Sequence, residues 1–175
     1  MQNDIKKISV SEEEIKKIVT SLGKQIAKDF EGRNPMFIGM LKGAVPFMTD
    51  LLKYVLIPCT VDYIKASSYS GTKSGSLVVQ GNMPDVKGRE VVIIDDILDT
   101  GRTLLHFKKT LLDLGAKSVK VCVLLDKPGG RLVDIQADYV GGLVPNEFVV
   151  GYGLDYNEKY RNLPFIGVLK EEIYK

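Results

Sequence analysis

The 175-residue chain has little of the chemistry on which zinc proteins and disulfide-stabilised proteins depend: two cysteines, one histidine and no tryptophan. Cys59 and Cys122 each lie in an apolar run, and neither belongs to a CxxC or CxxH pair. We therefore expect reduced thiols in the core. A zinc site is effectively excluded, because His106 and two thiols cannot supply the usual four ligands. A chain of this length buries roughly 70% of its unfolded surface, so its core needs neither a zinc site nor disulfide bonds for stability.

The chain also lacks a charge excess and a long apolar run. Lysine and arginine number 24 against 22 acidic residues, a net charge of +2, which is too small to favour nucleic-acid binding by bulk charge. No segment approaches the ~18 apolar residues of a membrane span, and the charged amino terminus does not resemble a signal peptide. We expect a cytoplasmic protein that binds neither membrane nor nucleic acid and could still take a small anionic substrate.

Apolar periodicity predicts alternating helices and strands along most of the chain. Ser11 and Glu14 form a capping-box pattern that opens a helix, and Gly32 ends it. Val91 to Ile94 is the strongest candidate for a buried strand, and Arg102 to Leu114 is predicted to be the helix after it. The other predicted elements are a helix over Ala44 to Leu56 and strands over Met36 to Met40, Cys59 to Ala66, Leu77 to Gln80, Val119 to Leu125 and Tyr139 to Val144. This alternation predicts an α/β fold with a mostly parallel sheet of about five strands, flanked by helices.

One segment combines the central strand with three carboxylates and a phosphate-type loop. Asp95 and Asp96 stand at the carboxyl end of the strand, and Asp99 follows after two apolar residues. Residues 100–103, Thr-Gly-Arg-Thr, then open a helix, so that backbone N–H groups, hydroxyls and the helix dipole can hold a phosphate dianion. Gly101 lets the backbone approach closely. The acidic pair suits vicinal hydroxyls with Mg²⁺ nearby, so the segment predicts a site for a ribose 5-phosphate.

These residues resemble the phosphoribosyl pyrophosphate signature of type I phosphoribosyltransferases. Further segments resemble the hypoxanthine-guanine phosphoribosyltransferases in particular: Leu41-Lys42-Gly43, Ser68-Tyr69, Leu125-Asp126-Lys127-Pro128, residues 148–158 and Arg161. The match runs from about Ile5 to the end of the chain. The resemblance implies the type I phosphoribosyltransferase fold, with one domain over residues 1–175 and a small hood from about residues 1–10 and 145–175.

The resemblance also implies a reaction and a role for each matching residue. The reaction is purine salvage, in which the 5-phosphoribosyl group passes from phosphoribosyl pyrophosphate to N9 of hypoxanthine or guanine, with Mg²⁺, to give IMP or GMP and pyrophosphate. Asp99 matches the general base near the purine N7. The residues implied to bind phosphoribosyl pyrophosphate are Lys42, Gly43, Asp95, Asp96, Thr100, Gly101, Arg102, Thr103 and Arg161. The purine-binding residues implied are Lys127, Phe148, Val149 and Asp155, the metal-binding residues are Asp95, Asp96 and Asp155, and the closing loop has Ser68 and Tyr69 at its tip.

Four details of the implied site can be checked against a structure. Lys127 matches a lysine that hydrogen-bonds the 6-oxo group, which would disfavour an amino base, and Phe148 matches an aromatic that stacks on the base. In the family that these residues resemble, the peptide joining Lys42 and Gly43 is often cis. Residues 129–130 are both glycine where bacterial members usually carry more charge, and we expect them to loosen the loop of Lys127. A homodimer or homotetramer is implied as well.

Two alternatives share this fold. A xanthine-preferring transferase would differ around Val149 and Asp155, where sequence alone does not show the geometry. A phosphoribosyl pyrophosphate-sensing regulator is favoured by the Asp95-Asp96 pair, which is typical of pyrimidine-operon attenuators. Those attenuators usually carry an aromatic residue where Asp99 stands here, and they lack the segment at 148–158. DNA-binding relatives append a helix-turn-helix domain, for which 175 residues leave no room.

Overall fold

The computed structural model describes residues 1–68, 77–80 and 82–175. A six-stranded sheet forms its centre, built from β2 Met36–Leu41, β3 Thr60–Ser68, β4 Leu77–Gln80, β5 Glu90–Leu98, β6 Ser118–Asp126 and β7 Tyr139–Leu143. The strand order is β4-β3-β2-β5-β6-β7. Only β4 runs antiparallel to its neighbour, whereas the other pairs in this sheet are parallel. The predicted mostly parallel sheet is confirmed.

Helices cover both faces of this sheet. The helices are α1 Glu12–Asp29, α2 Val45–Leu52 and α3 Arg102–Asp113. The crossover through α2 leads from β2 outward to β3, and the crossover through α3 leads from β5 outward to β6 on the other side. Because both crossovers are expected to be right-handed, α2 and α3 lie on opposite faces. α1 packs beside α2, so these two helices share a face.

Local sequence signals explain where the first two helices begin and end. The capping box of α1 is present: the Ser11 hydroxyl accepts a hydrogen bond from the Glu14 N–H at 3.3 Å, and the Glu14 carboxylate accepts one from the Ser11 N–H at 2.7 Å. α2 ends at Leu52, before the predicted Leu56. The N–H groups of Tyr54 and Val55 bond back only three residues, so the chain turns there toward β3.

A second, three-stranded sheet joins the two ends of the chain. β1 Ile5–Val10, β8 Val149–Val150 and β9 Ile166–Leu169 form an antiparallel sheet in the order β1-β9-β8, and the short helix α4 Glu171–Tyr174 follows β9. This small sheet lies in the segments from which the hood is predicted. No strand is predicted at these positions from the sequence, because runs this short and irregular carry little periodicity.

The central strand β5 is longer than the sequence predicts. Val91 to Ile94 are fully buried, as predicted, but β5 continues to Leu98 because β6 keeps pairing with it, up to Leu98 opposite Asp126. Asp95 and Asp96 are therefore strand residues rather than loop residues. At these positions β5 is paired with β6 only, because its pairing with β2 ends at Ile94.

Of the two cysteines expected in the core, only Cys122 is fully buried. Cys122 is buried in β6, Cys59 is partly buried just before β3, and both are free thiols. Burial raises the pKa of each thiol, so neither is activated as a nucleophile. Within the described ranges, no helix is both long enough and apolar enough to cross a membrane.

Candidate active site

A cavity of about 210 Å³ opens at the carboxyl ends of β2 and β5. This is the edge of an open α/β sheet at which ligands usually bind. The predicted site residues that line the cavity are Asp95, Asp99, Thr100, Gly101 and Thr103. The structure thus brings the acidic residues and the predicted phosphate loop to one opening.

The phosphate loop has the geometry of a helix N-terminus with room for an anion. Gly101 caps α3 with a φ of +79°, a left-handed conformation that favours glycine. A Cβ on Gly101 would lie 2.5 Å from a methyl group of Ile135, so a side chain is excluded on steric grounds too. The first N–H groups of α3, from Arg102 onward, have no carbonyl four residues earlier in the helix. They are available to a phosphate, as the motif predicts.

Asp95 and Asp96 form an electrostatically costly pair. Desolvation, followed by the charge of Asp96, raises the pKa of Asp95 well above its ordinary value. Desolvation also raises the pKa of Asp96. A cation or a set of hydroxyl donors would relieve this cost, which is the chemistry expected where a ribose diol and a divalent ion bind.

Gly43 lies directly against the Asp96 carboxylate. A Cβ on Gly43 would fall 1.8 Å from Asp96 Oδ2, and one on Gly153 would fall 2.0 Å from the Gly43 carbonyl oxygen. The turn that contains Gly43 is therefore enclosed between β5 and the segment after β8. The cis peptide lies between Leu41 and Lys42, so the predicted position between Lys42 and Gly43 is wrong by one residue. No proline marks the bond, and the sequence holds no local signal for it.

The two cations predicted for pyrophosphate share one carboxylate. Lys42 Nζ lies 2.6 Å from Glu158 Oε2, and an Arg161 guanidinium nitrogen lies 3.0 Å from Glu158 Oε1. Hydrogen bonds from Lys42 and then Arg161 lower the pKa of Glu158. Arg161 also donates to the Gly153 carbonyl oxygen at 2.7 Å and pairs with Asp155 at 2.9 Å. Lys42 and Arg161, 119 positions apart in sequence, are thus brought to one place.

Asp99, which lines the cavity, forms an ion pair with Lys127. Lys127 Nζ lies 3.1 Å from Asp99 Oδ2. Lys127 is fixed next to β5 because its N–H donates to the Leu98 carbonyl oxygen at 3.0 Å. A base that offers two adjacent polar atoms on one edge, as the N7 and O6 positions of a 6-oxopurine do, could meet both side chains at once.

Gly130 provides space for the Asp99 carboxylate. A Cβ on Gly130 would fall 1.8 Å from Asp99 Oδ1, whereas one on Gly129 would meet nothing closer than 3.3 Å, the Asn146 side chain. Residues 128–130 form a 3-10 turn in which the Gly130 N–H donates to the Lys127 carbonyl oxygen at 3.1 Å. The turn brings Gly130 against the Asp99 carboxylate, and the expected loosening of the Lys127 loop stays a prediction.

Phe148 and Val149, two neighbouring residues predicted to bind the purine, differ in the exposure of their side chains. The Phe148 ring is exposed, as a stacking platform requires, and contacts the rings of Tyr156 and Tyr174. The Val149 side chain is buried in the main core, so only its backbone is left to reach a base. Phe148 bonds to β9 through its carbonyl oxygen. Neighbouring residues alternate in an antiparallel ladder, and the polar groups of Val149 therefore point to the open edge of β8.

The predicted closing loop lies mostly outside the described residues. Ser68 is the last residue of β3 and pairs with Leu77 of β4, while Tyr69 falls in the range that the structure does not describe. β3 and β4 form an antiparallel pair that leads into and out of this loop.

The predicted metal residues do not all come together. In the described ranges, no three acidic, histidine or cysteine side chains converge on a common metal position. Asp155 accepts a hydrogen bond from the Glu158 N–H at 2.8 Å and pairs with Arg161. Mg²⁺ is commonly held by one or two carboxylates together with substrate phosphates and water. Asp95 and Asp96 fit a metal ion that binds together with its phosphorylated substrate.

Sequence reasoning gave no role to two residues of this site. Glu158 pairs with both Lys42 and Arg161, and the absence of a side chain at Gly130 leaves space for the Asp99 carboxylate. Both contacts join distant parts of the chain. The only sequence signal for Glu158 is its place in the matching segment, and the glycine pair looked like a departure from the family pattern.

Comparison with known proteins agrees with this geometry. Residues 10–157 match the family described as the phosphoribosyl transferase domain. A hypoxanthine-guanine phosphoribosyltransferase of Streptococcus pneumoniae is 50% identical, with 99% of this chain and 98% of that protein aligned. The crystal structure of a hypoxanthine phosphoribosyltransferase from Staphylococcus aureus superposes with a TM-score of 0.95 at 42% identity, covering 100% of this chain and 97% of that one.

A longer relative matches as well. A bifunctional protein TilS/HprT of Listeria monocytogenes is 53% identical over 99% of this chain, and the chain spans 27% of the length of that protein. The central sheet with its added small sheet is the type I phosphoribosyltransferase fold. The chain therefore belongs to the phosphoribosyltransferase family, and within it to the hypoxanthine-guanine phosphoribosyltransferases.

Proposed function

We propose that this protein transfers the 5-phosphoribosyl group of phosphoribosyl pyrophosphate to N9 of hypoxanthine or guanine, giving IMP or GMP and pyrophosphate. The observation that carries the proposal is the position of Asp99. It adjoins the phosphate loop on the same cavity, and its carboxylate lies 3.1 Å from the Lys127 ammonium. A phosphate site and a pair of groups suited to the N7–O6 edge of a purine are therefore adjacent.

Asp99 and Lys127 would orient the base and manage its proton. The bond between N9 and the anomeric carbon forms as the bond from that carbon to pyrophosphate breaks, and the base must lose one proton. The Asp99 carboxylate is suited to hold that proton at N7 while N9 acts as the nucleophile. Lys127 would donate to the 6-oxo oxygen. An amino group at that position would present a donor to a donor, which disfavours adenine.

The remaining charged residues would bind the two phosphate ends of the substrate. The loop of residues 100–103, including Thr100, Gly101, Arg102 and Thr103, would hold the 5-phosphate. Lys42, Gly43 and Arg161 would contact pyrophosphate. Since Glu158 bonds both cations, an incoming pyrophosphate group would take over contacts that this carboxylate makes in the free protein.

Mg²⁺ is proposed as the cofactor, held by Asp95 and Asp96 with the substrate's oxygens, and Asp155 is the further candidate ligand. When bound, it would neutralise charge on the pyrophosphate as it leaves. Ser68, which ends β3 opposite Leu77 and so lies at the base of the closing loop and not at its tip, and Tyr69 are proposed to belong to the loop that excludes water from the reacting carbon.

The cellular setting follows from the same proposal. We propose a cytoplasmic protein in which residues 1–175 act as one domain, with small-molecule substrates only and with a homodimer or homotetramer as the assembly.

Exposed apolar side chains support self-association. Val61 and Tyr63 lie on the same face of β3 and are both exposed, and Val45 is exposed at the start of α2. Tyr63 and Met48 of α2 both lie against Gly39, so this face of β3 adjoins α2.

The direct test is the stoichiometry of the reaction. Incubation with hypoxanthine, phosphoribosyl pyrophosphate and Mg²⁺ should give IMP and pyrophosphate in equal amounts, measured by chromatography and a phosphate-release assay. Chelation of Mg²⁺ by EDTA should stop both products, and added Mg²⁺ should restore them. Formation of pyrophosphate without IMP would show hydrolysis of the donor and would contradict the proposed transfer.

A further inference from the structure

The backbone of Phe148 is fixed on the edge of the small sheet. Its carbonyl oxygen accepts a hydrogen bond from the Leu169 N–H at 2.8 Å, and the next residue, Val149, pairs with Val168 of β9. A Cβ built on Gly129 would fall 3.3 Å from the Asn146 side chain, so the segment that leads to Phe148 passes beside the turn that carries Lys127. Phe148 therefore stands next to the proposed purine site on a main chain that cannot move freely.

The orientation of the Phe148 ring is set by two tyrosines. Tyr156 meets it edge-on, with ring centroids 5.6 Å apart and an interplanar angle of 88°. Tyr174 stacks on it, with centroids 4.9 Å apart and an interplanar angle of 25°. Both are favourable aromatic geometries. A ring has two faces, and Tyr174 covers one of them, so a base can stack only on the other.

Tyr174 is itself held in place at the end of the chain. It is the last residue of α4, and α4 is tied to the amino terminus because the Lys170 N–H donates to the Asp4 carbonyl oxygen at 2.9 Å. The partly buried Ile173 and Tyr174 pack on a small cluster of buried residues that includes Val150 and Leu169. The stacking partner of Phe148 is thus anchored independently of Phe148.

We propose that Tyr174 is a positioning residue for the purine base: it holds the Phe148 ring at the tilt at which a base stacks on its free face. The inference rests on the proposed function, because the base is what Phe148 would hold. Phe148 is exposed, and an exposed phenylalanine ring without a stacking partner could adopt several orientations. Stacking on Tyr174 removes that freedom before the base arrives, so less entropy is lost on binding.

The test compares aromatic and non-aromatic side chains at position 174. Tyr174→Phe keeps the stacked ring, whereas Tyr174→Leu keeps an apolar side chain and removes the flat face. Tyr174→Met is a second non-aromatic variant, used if leucine lowers the melting temperature below that needed for the assay. For the purified full-length proteins, kcat and the KM of each substrate are measured with hypoxanthine and phosphoribosyl pyrophosphate.

The expected result is a change confined to one substrate. Tyr174→Leu should raise the KM of hypoxanthine about 2- to 12-fold, the range of an aromatic pair, with kcat and the KM of phosphoribosyl pyrophosphate nearly unchanged. Tyr174→Phe should behave as the wild type. An unchanged hypoxanthine KM in the leucine and methionine variants would overturn the inference, as would a parallel rise for both substrates or an equal defect in Tyr174→Phe. A wild-type protein that turns over no 6-oxopurine would instead overturn the proposed function.

Discussion

At the scale of single residues, Asp99 is the proposed general base that holds the proton of the purine. We predict that Asp99→Asn lowers kcat on the order of 10- to 100-fold, toward the lower end of general-base effects because the amide still accepts a hydrogen bond from the base. The measurement is steady-state turnover of hypoxanthine, with circular dichroism to show that the variant is folded. Unchanged turnover in a folded Asp99→Asn protein would remove Asp99 from the mechanism.

Lys127 is predicted to recognise the base rather than the sugar phosphate. Lys127→Ala should raise the KM of hypoxanthine about 10-fold or more, since it removes a hydrogen bond from a charged donor, and should change the KM of phosphoribosyl pyrophosphate much less. Lys120→Ala is the matched control, because Lys120 pairs with Asp138 at 2.8 Å in a comparable ion pair outside the site. An equal effect of both variants, or an effect on phosphoribosyl pyrophosphate alone, would contradict the assignment.

The identities of these residues could be predicted from the sequence, but their contacts could not. The segment from Asp95 to Thr103 carries its own chemistry in consecutive residues, and all of its predicted site residues except Asp96 and Arg102 line one cavity. The bond from Lys127 to Asp99 joins residues 28 positions apart. Such a distance depends on which strands are neighbours and in which register, and a local motif does not contain that information.

At the scale of elements, the turn after β6 shows how a glycine can serve the site. We predict that Gly130→Ala lowers kcat by displacing the Asp99 carboxylate, because the new Cβ would fall 1.8 Å from Asp99 Oδ1. Gly129→Ala is the control in the same turn, where the nearest atom lies at 3.3 Å. Both variants should keep their melting temperature within a few degrees. A Gly130→Ala protein with wild-type turnover would show that Asp99 has another position available for catalysis.

The segment after β8 is attached to α2 through a polar contact of Tyr152. The Tyr152 hydroxyl donates to Asp50 Oδ2 at 2.7 Å, and Lys53 Nζ lies 2.6 Å from Asp50 Oδ1. Burial opposes ionisation of Asp50, but the hydrogen bonds from Lys53 and Tyr152 together lower its pKa below the ordinary value. The ionised form of Asp50 therefore stabilises the folded protein.

This lowered pKa predicts the direction of a pH effect on stability. Asp50→Asn should cost about 1 kcal/mol or less at pH 7, because the group is partly exposed to solvent. The difference from the wild type should persist down to the ordinary aspartate pKa of about 4 and shrink as the pH falls further. Urea unfolding at a series of pH values measures it, with the exposed Asp134→Asn as control. A difference that grows as the pH falls would contradict the assigned ionisation.

The ends of several strands are decided by pairing with a neighbouring strand and not by the local sequence pattern. β5 was expected to end at Ile94 because polar residues follow, yet β6 pairs with it as far as Leu98. The small sheet includes the two-residue strand Val149–Val150, which exists because β9 pairs with it. In both cases a neighbouring strand, contributed by a distant part of the chain, decides the local conformation.

At the scale of the whole molecule, the two sheets contribute different groups to the candidate active site. The parallel sheet presents the carboxylates and the phosphate loop at its carboxyl edge, and the small sheet brings the exposed Phe148 and the Arg161 segment to that edge. Alternation of elements predicted the first sheet. The second depends on the two chain ends meeting, which only the resemblance to a known family indicated in advance.

The most direct measurement of the central claim is nucleotide formation from phosphoribosyl pyrophosphate and Mg²⁺, with hypoxanthine, guanine, xanthine, adenine and uracil offered separately. Because Lys127 and Asp99 fit the N7–O6 edge of a purine, we predict turnover of hypoxanthine and guanine and little turnover of adenine or uracil. Turnover of xanthine alone would keep the chemistry and overturn the assignment of the base site. A folded protein that binds phosphoribosyl pyrophosphate and forms no nucleotide with any of the five bases would contradict the account.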